Sequence, residues 1–307
     1  MRKLSIVTTL YQSESYIREF YERITKAADE ITDDYEIIFV NDGSPDNSLE
    51  QAVVLHKQDS KVCVIDLSRN FGHHKAMMTG LSYAKGEYVF LIDVDLEEEP
   101  ELLAKFWDTL QNKSDVDVIY GVQEQRKGNW FEQMTGEVFY KLINFLSDVT
   151  VPKNLITARL MRKNYVEALI QYREQEIFLA GIWAATGFNQ IGISVKKHSH
   201  SDTTYTITKK IQQLINAVTS FSNKPLVYVF NLGLMITSFS FVVVLYLVAR
   251  KLIFGIPVEG WVSIVSSIWL LSGLIIFSIG VIGIYLSKIF IETKNRPYIS
   301  IKKMYEK

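Results

Sequence analysis

The sequence predicts an α/β domain on a mostly parallel sheet, followed by two helices long enough to cross a bilayer. Three observations carry this. Short apolar runs alternate with helical stretches over the first two hundred of 307 residues, the apolar excess gathers after about residue 225, and the first four apolar runs end in polar residues. Alternation of this kind is the signature of βαβ units, and ligands of such open sheets sit beyond the carboxyl ends of the strands.

In chain order, strands are expected at Leu4–Thr9, Tyr35–Val40, Lys61–Asp66, Tyr88–Ile92 and Asp117–Tyr120, with a further strand-like run at Ile191–Val195. Helices are expected between them at Ser15–Glu30, Ser48–His56, His74–Ala84 and Glu101–Leu110. Ile207, Ile211, Leu214, Val218 and Phe221 then recur at steps of four and three, which predicts an amphipathic helix at the membrane surface or against the domain. Leu226–Ala249 is 24 residues without a charge and Trp261–Leu286 is 26, enough to span about 30 Å of hydrocarbon. The short link between them makes the pair a hairpin. Lysines and arginines on both flanks, among them Lys209, Lys210, Lys224, Lys288, Lys294 and Arg296, place both flanks in the cytoplasm by the positive-inside rule.

The net charge of −1 gives no reason to expect nucleic acid as a partner. Cys63 is the single cysteine and lies in an apolar run, so no internal disulfide or thiolate cluster is expected. Met1-Arg2-Lys3 leads directly into the first strand without the apolar stretch of a signal peptide, so the front domain is expected to stay inside the cell.

The first strand runs into Thr8-Thr9-Leu10-Tyr11-Gln12 with no glycine-rich turn, which disfavours a dinucleotide enzyme. The second ends Asn41-Asp42-Gly43-Ser44-Pro45, a polar turn that also places a carboxylate to accept from a nucleobase or ribose. The fourth ends Asp93-Val94-Asp95-Leu96-Glu97, and period-two alternation turns Asp93, Asp95 and Glu97 to one side. Acids so placed call for a cation, and hard oxygen ligands suit Mg²⁺ or Mn²⁺ bridging to a diphosphate. Arg69-Asn70-Phe71-Gly72-His73-His74-Lys75 follows the third strand; Gly72 allows close approach to a ligand, and Lys75 can meet base or diphosphate. A zinc site at His73-His74 or His198-x-His200 is disfavoured because neither pair has a third ligand nearby in sequence.

These segments, with Pro152 to Arg159-Leu160-Met161 and Gly283-Ile284-Tyr285-Leu286 running to Arg296-Pro297, resemble the family 2 glycosyltransferases. The resemblance is to their polyprenyl-phosphate branch, which includes dolichyl-phosphate mannose synthases and bacterial undecaprenyl-phosphate sugar transferases. It implies a GT-A fold in which Thr9, Tyr11, Asp42, Gly72, Lys75 and Asp93 hold the nucleotide-sugar, and Asp93, Asp95 and Glu97 surround the metal. It also implies inverting transfer of a hexose-like sugar, from a UDP- or GDP-sugar with UDP favoured, to undecaprenyl phosphate. Two departures bear on metal and sugar choice: Glu97 stands where relatives usually have Gln, and Gln12-Ser13 where they have Asn-Glu. A third concerns catalysis. Relatives carry an aspartate, a candidate base, where this chain has Thr157. A phosphate acceptor is largely ionised at neutral pH, so positioning and electrostatic support can suffice.

The acceptor phosphate needs cations, for which Arg126, Arg159 and Lys197 are the candidates. Asp93, Asp95, Arg126 and Arg159 are therefore the expected catalytic set. The expected organisation is a cytoplasmic catalytic domain over residues 1–200, a juxtamembrane helix over 201–224, two spans within 225–287 and a basic tail over 288–307. The expected partners are a nucleotide-sugar, a polyprenyl phosphate and the inner membrane, with homo-oligomers through the spans as a further possibility. Transfer to a soluble sugar or protein is the alternative activity. A processive polysaccharide synthase would want an Arg-Trp pair, which the chain lacks.

Overall fold

The protein is described from a computed structural model that covers residues 2–124, 141, 144–146, 150, 152–196, 215, 218–220, 222–254 and 260–306. Its centre is β1 (Leu4–Leu10), in which every residue is buried, flanked by β2 (Tyr35–Asn41) and β4 (Tyr88–Leu91). Beyond β2 lies β3 (Val62–Leu67), and all three neighbouring pairs run parallel. Strands buried on both faces read as continuous apolar runs, which is why these four were legible in the sequence.

The other half is mixed. β5 (Val118–Gln123), β6 (Leu155–Arg162) and β7 (Gln190–Val195) complete one side, and β6 inserts antiparallel between β4 and β5. The full order is β7-β5-β6-β4-β1-β2-β3-β8. The last of these, β8 (Ile301–Tyr305), pairs antiparallel with β3. The chain end expected as a basic tail thus includes a strand that covers the sheet's edge and spares β3 an unpaired ladder.

Helices cover both faces. On one, α1 (Ile17–Asp29), α2 (Ser48–Gln58) and α4 (Leu102–Gln111) pack on β1, β2 and β4. Ile17, Phe20, Ile24 and Ala28 form the apolar stripe of α1. Phe90 meets Phe106 edge-on at 6.2 Å, a pair worth roughly 1 kcal/mol beyond its burial. On the other face lie α3 (His73–Tyr83), α5 (Lys163–Leu169) and α6 (Leu179–Ala185).

α7 (Lys224–Phe254) and α8 (Trp261–Thr293) follow, each with an apolar window long enough to cross a membrane. Their surfaces face outward: Trp269, Leu270 and Ile276 are 79%, 75% and 70% exposed. Apolar surface on this scale is stable against hydrocarbon and not against water. The base of α8 is tied to the domain, where Gln175 donates its N–H to Glu292 at 2.7 Å and its side chain to the Arg296 carbonyl at 2.9 Å. Lys288 pairs with Glu176 at 3.4 Å and donates to Ser220 at 2.8 Å.

Candidate active site

The site lies at the carboxyl ends of β1, β2 and β4, where three loops are laced together by side chains. The Ser44 hydroxyl accepts from the N–H of Gln12 at 2.7 Å, and that of Ser48 accepts from the N–H of Ser13 at 3.0 Å. Both hydroxyls donate to Asp46, at 2.5 and 2.6 Å, and Asp46 also accepts from the N–H of Glu14. Tyr11 projects from this lattice with 47% of its surface exposed, while Thr9 behind it is buried.

Asp42 is also buried. Its two oxygens accept the N–H groups of Phe71 at 2.7 Å and Gly72 at 3.0 Å, so it holds the loop after β3. Burial raises its pKa, and the two backbone N–H groups oppose that rise. Gly43 is required here: its φ is +61°, and a Cβ would stand 2.5 Å from the backbone of Arg69 and Asn70. Gly72, with φ +102°, makes the turn into α3.

β4 ends at Leu91, and the acids follow in an irregular turn in which Leu96 has φ +59°. Burial still alternates. Val94, Leu96 and Glu98 point inward, and Asp93, Asp95 and Glu97 are half-buried on the other side. Thr157, at the mouth of β6, donates its hydroxyl to Asp93 Oδ2 at 2.7 Å. His73 Nε2 lies 3.2 Å from Asp93 Oδ1, and its Nδ1 shares a hydrogen bond of 3.0 Å with Thr9. Partial burial would lower the His73 pKa, but Asp93, with Asp95 and Asp42 behind it, outweighs this and the net shift is upward. His74 faces away, toward the Ile177 carbonyl at 3.2 Å, and burial lowers its pKa.

No group of three or more His, Cys, Asp and Glu side chains is placed to hold a metal among the described residues. The turn at Leu96 ends the strand geometry, and Asp95 accepts the N–H of Glu97 at 3.0 Å. The acids at the strand end still fit one side of a Mg²⁺ or Mn²⁺ shell. These ions keep water and take phosphate oxygens for the remainder.

Lys75 is not brought to the acids. Its ammonium lies 5.4 Å from the Tyr298 ring, and its pKa is lowered by burial and then by Arg69. Arg159 is buried under α6, its guanidinium carbon 3.0 Å from the centre of the Trp183 ring. Among the described residues none of its side-chain nitrogens, nor the Tyr165 hydroxyl or Trp183 Nε1, makes a hydrogen bond of good geometry, while the neighbouring Tyr165 favours the Arg159 cation. Burial pushes the Arg159 pKa down to about 10, so the side chain remains a cation at neutral pH. Arg159 also lines a cavity of about 320 Å³ with Tyr120, Trp183, Phe188 and Gln190. Arg126, Lys197, His198, His200 and most of the expected juxtamembrane helix lie outside the described residues.

Sequence reasoning did not assign positioning roles to Thr157, His73 or Glu98. Glu98 is fully buried, and its two oxygens accept the N–H groups of Thr157 at 2.9 Å and Ala158 at 2.7 Å. The available signal was an acid at an inward-facing position of the acidic run, a placement that requires a buried partner.

Acids gathered at the carboxyl ends of parallel strands, where ligands of open α/β sheets sit, without a dinucleotide fingerprint, mark the class of α/β proteins with a strand-end site. The chain belongs to glycosyl transferase family 2, whose model matches residues 5–170. It is 50% identical, over 99% of its length and 88% of the relative's, to a Mycobacterium tuberculosis (strain CDC 1551 / Oshkosh) protein with a glycosyltransferase designation. It is 32% identical to the SfII prophage-derived bactoprenol glucosyl transferase of Shigella flexneri, over 99% of this chain and 98% of that one. It is 31% identical to the bactoprenol glucosyl transferase of Shigella phage SfV, over 99% and 100%. Among solved structures, the Mycobacterium tuberculosis glucosyl-3-phosphoglycerate synthase with Mn²⁺ and UDP-glucose matches 71% of this chain and 78% of that one, at TM-score 0.48 and 18% identity.

Proposed function

We propose that the protein transfers a hexose-like sugar from a nucleotide-sugar, UDP-linked in preference to GDP-linked, to undecaprenyl phosphate at the cytoplasmic face of the membrane. The observation that carries the reading is the joining of two parts in one chain. The domain that carries the strand-end cleft is tied, through Gln175, to the base of an outward-apolar helix pair. Full-length likeness to bactoprenol glucosyl transferases supports the lipid acceptor. The pairing of β8 with β3 supports the topology. Residues before α7 and after α8 share one sheet, so both flanks of the helix pair lie on the same side of a bilayer.

In this reading a lipid phosphate oxygen bonds to the anomeric carbon as the bond from that carbon to the donor diphosphate breaks, and the nucleoside diphosphate leaves. Attack on the face opposite the leaving group inverts the centre. Tyr11, Thr9, Asp42 and the Gly72 loop shape the nucleotide pocket. Asp93 and Asp95, with Glu97 at the rim, take a divalent metal that supplies charge neutralisation for the leaving diphosphate. Arg126 and Lys197 meet the acceptor phosphate, and Arg159 supports it through its field from beneath the site. Lys75 acts on the tail side of the nucleotide loop.

The test is transfer from radiolabelled UDP- and GDP-sugars to undecaprenyl phosphate with Mn²⁺, Mg²⁺ or EDTA. Chelator-sensitive passage of one sugar into the organic phase is the expected result. A donor that is bound or hydrolysed while its label stays aqueous would replace the lipid by a soluble or protein acceptor.

A further inference from the structure

Thr157 stands where a base would be sought, yet its hydroxyl donates to an acid of the cleft and not into open space. Its partner is Asp93 Oδ2 at 2.7 Å, while Asp93 Oδ1 lies 3.2 Å from His73. Thr157 is itself fixed from behind by Glu98, which takes the N–H groups of residues 157 and 158 on separate oxygens. Glu98 is fully buried, and Thr157 is the third residue of β6, two positions beyond the Leu91–Arg159 pair that joins β6 to β4. The hydroxyl is therefore held by a strand, and a carboxylate is held by the hydroxyl.

A carboxylate at 157 would place two negative groups within hydrogen-bond distance, a contact that needs a shared proton or a bridging cation. A hydroxyl needs neither, because it supplies the donor itself. Each carboxylate oxygen has two acceptor sites, so Thr157 on Oδ2 and His73 beside Oδ1 each leave a second site for a further partner while fixing the rotamer of Asp93. Preorganisation of this kind raises affinity by removing the ordering cost at the moment of binding.

We infer that Thr157 is a positioning residue, locked by Glu98, that sets the rotamer of Asp93 and thereby the affinity of the cleft for a divalent cation with nucleoside diphosphate. The inference rests on the reading of Asp93 as a metal carboxylate. It assigns Thr157 no part in proton transfer and no contact with the sugar.

The experiment measures Mn²⁺ binding by electron paramagnetic resonance on the full-length protein in nanodiscs, with UDP present and no acceptor. Wild type, Thr157→Ser, Thr157→Val, Glu98→Gln and Asp95→Asn are compared. Thr157→Val is expected to bind Mn²⁺ about tenfold more weakly, the scale of one hydrogen bond to a charged group, and Thr157→Ser to stay within about twofold of wild type. Glu98→Gln, which keeps the hydroxyl but disturbs the strand that carries it, is expected to weaken binding in the same direction. Equal Mn²⁺ affinity in Thr157→Val and wild type, with transfer lost, would make Thr157 a catalytic residue and overturn the inference. Serine behaving like valine would overturn it as well. Wild type that binds no Mn²⁺, or binds it as well after Asp95→Asn, would instead remove the metal reading and this inference with it.

Discussion

The loops after β1, β2 and β3 and the patch around Arg159 treat buried polar groups differently. In the loops, hydroxyls and carboxylates meet backbone N–H groups: Ser44, Ser48, Asp46 and Asp42 each serve at least two partners. Around Arg159 on β6, by contrast, the guanidinium lies against the Trp183 ring, and neither it, the Tyr165 hydroxyl nor the Trp183 indole N–H makes a hydrogen bond of good geometry among the described residues. The first arrangement is rigid before any ligand arrives. The second carries a charge whose value must lie outside its own contacts, because a buried cation without hydrogen bonds does not stabilise a fold. The difference teaches that the loops at the strand ends are held rigid by hydrogen bonds, while Arg159 is held by burial and an aromatic face; in the proposed function the first would serve the donor and the second the acceptor.

The largest effect expected from this contrast is on the donor side. Asp95→Asn should lower metal-dependent transfer by at least about a hundredfold, since a lost charge on a metal is a lost transition-state interaction. A near-normal rate with Mg²⁺ would break the assignment. Arg159→Met comes next and separates stability from activity. The variant should melt at or above the wild-type temperature, because a hydrophobe of similar length replaces an unpaired buried charge. Its transfer rate should fall by roughly tenfold, less than removal of a contacting donor costs. A melting temperature several degrees lower would show that the guanidinium has a structural partner after all.

A third, smaller effect concerns the edge between the halves and the membrane. A chain ending at Arg296 keeps both apolar helices but loses β8, leaving the β3 ladder open. It should melt a few degrees lower and self-associate more readily, with its choice of lipid acceptor unchanged. Unchanged melting and association would reduce β8 to a passive tail. The smallest effect is at the far surface, where Arg23 holds Glu101 below the ordinary carboxylate value of 4.5 through bonds of 2.7 and 2.9 Å. A lowered folded pKa stabilises above the unfolded value and is lost as pH falls through the folded one. Glu101→Gln should thus cost a few tenths of a kcal/mol at pH 7, the pair being partly exposed, and nothing in strong acid.

The sequence by itself determined the parallel core, the outward-apolar helix pair and the acids after β4. Each is a local pattern: β1 and β2 are short, mainly apolar and β-branched runs buried on both faces, and an apolar stretch of membrane length needs no neighbour to be recognised. What only the tertiary structure decided are the long-range pairings. β8 joins β3 across more than two hundred residues, and its adjacent lysines, Lys302 and Lys303, read as part of a charged tail. Glu98 bonds residue 157, and Thr157 bonds Asp93, across about sixty positions. Nothing local distinguishes such a threonine from one that faces water. Its role came from the insertion of β6 beside β4, and that register is fixed by the cross-strand packing of Val89 on Met161 and Leu91 on Arg159.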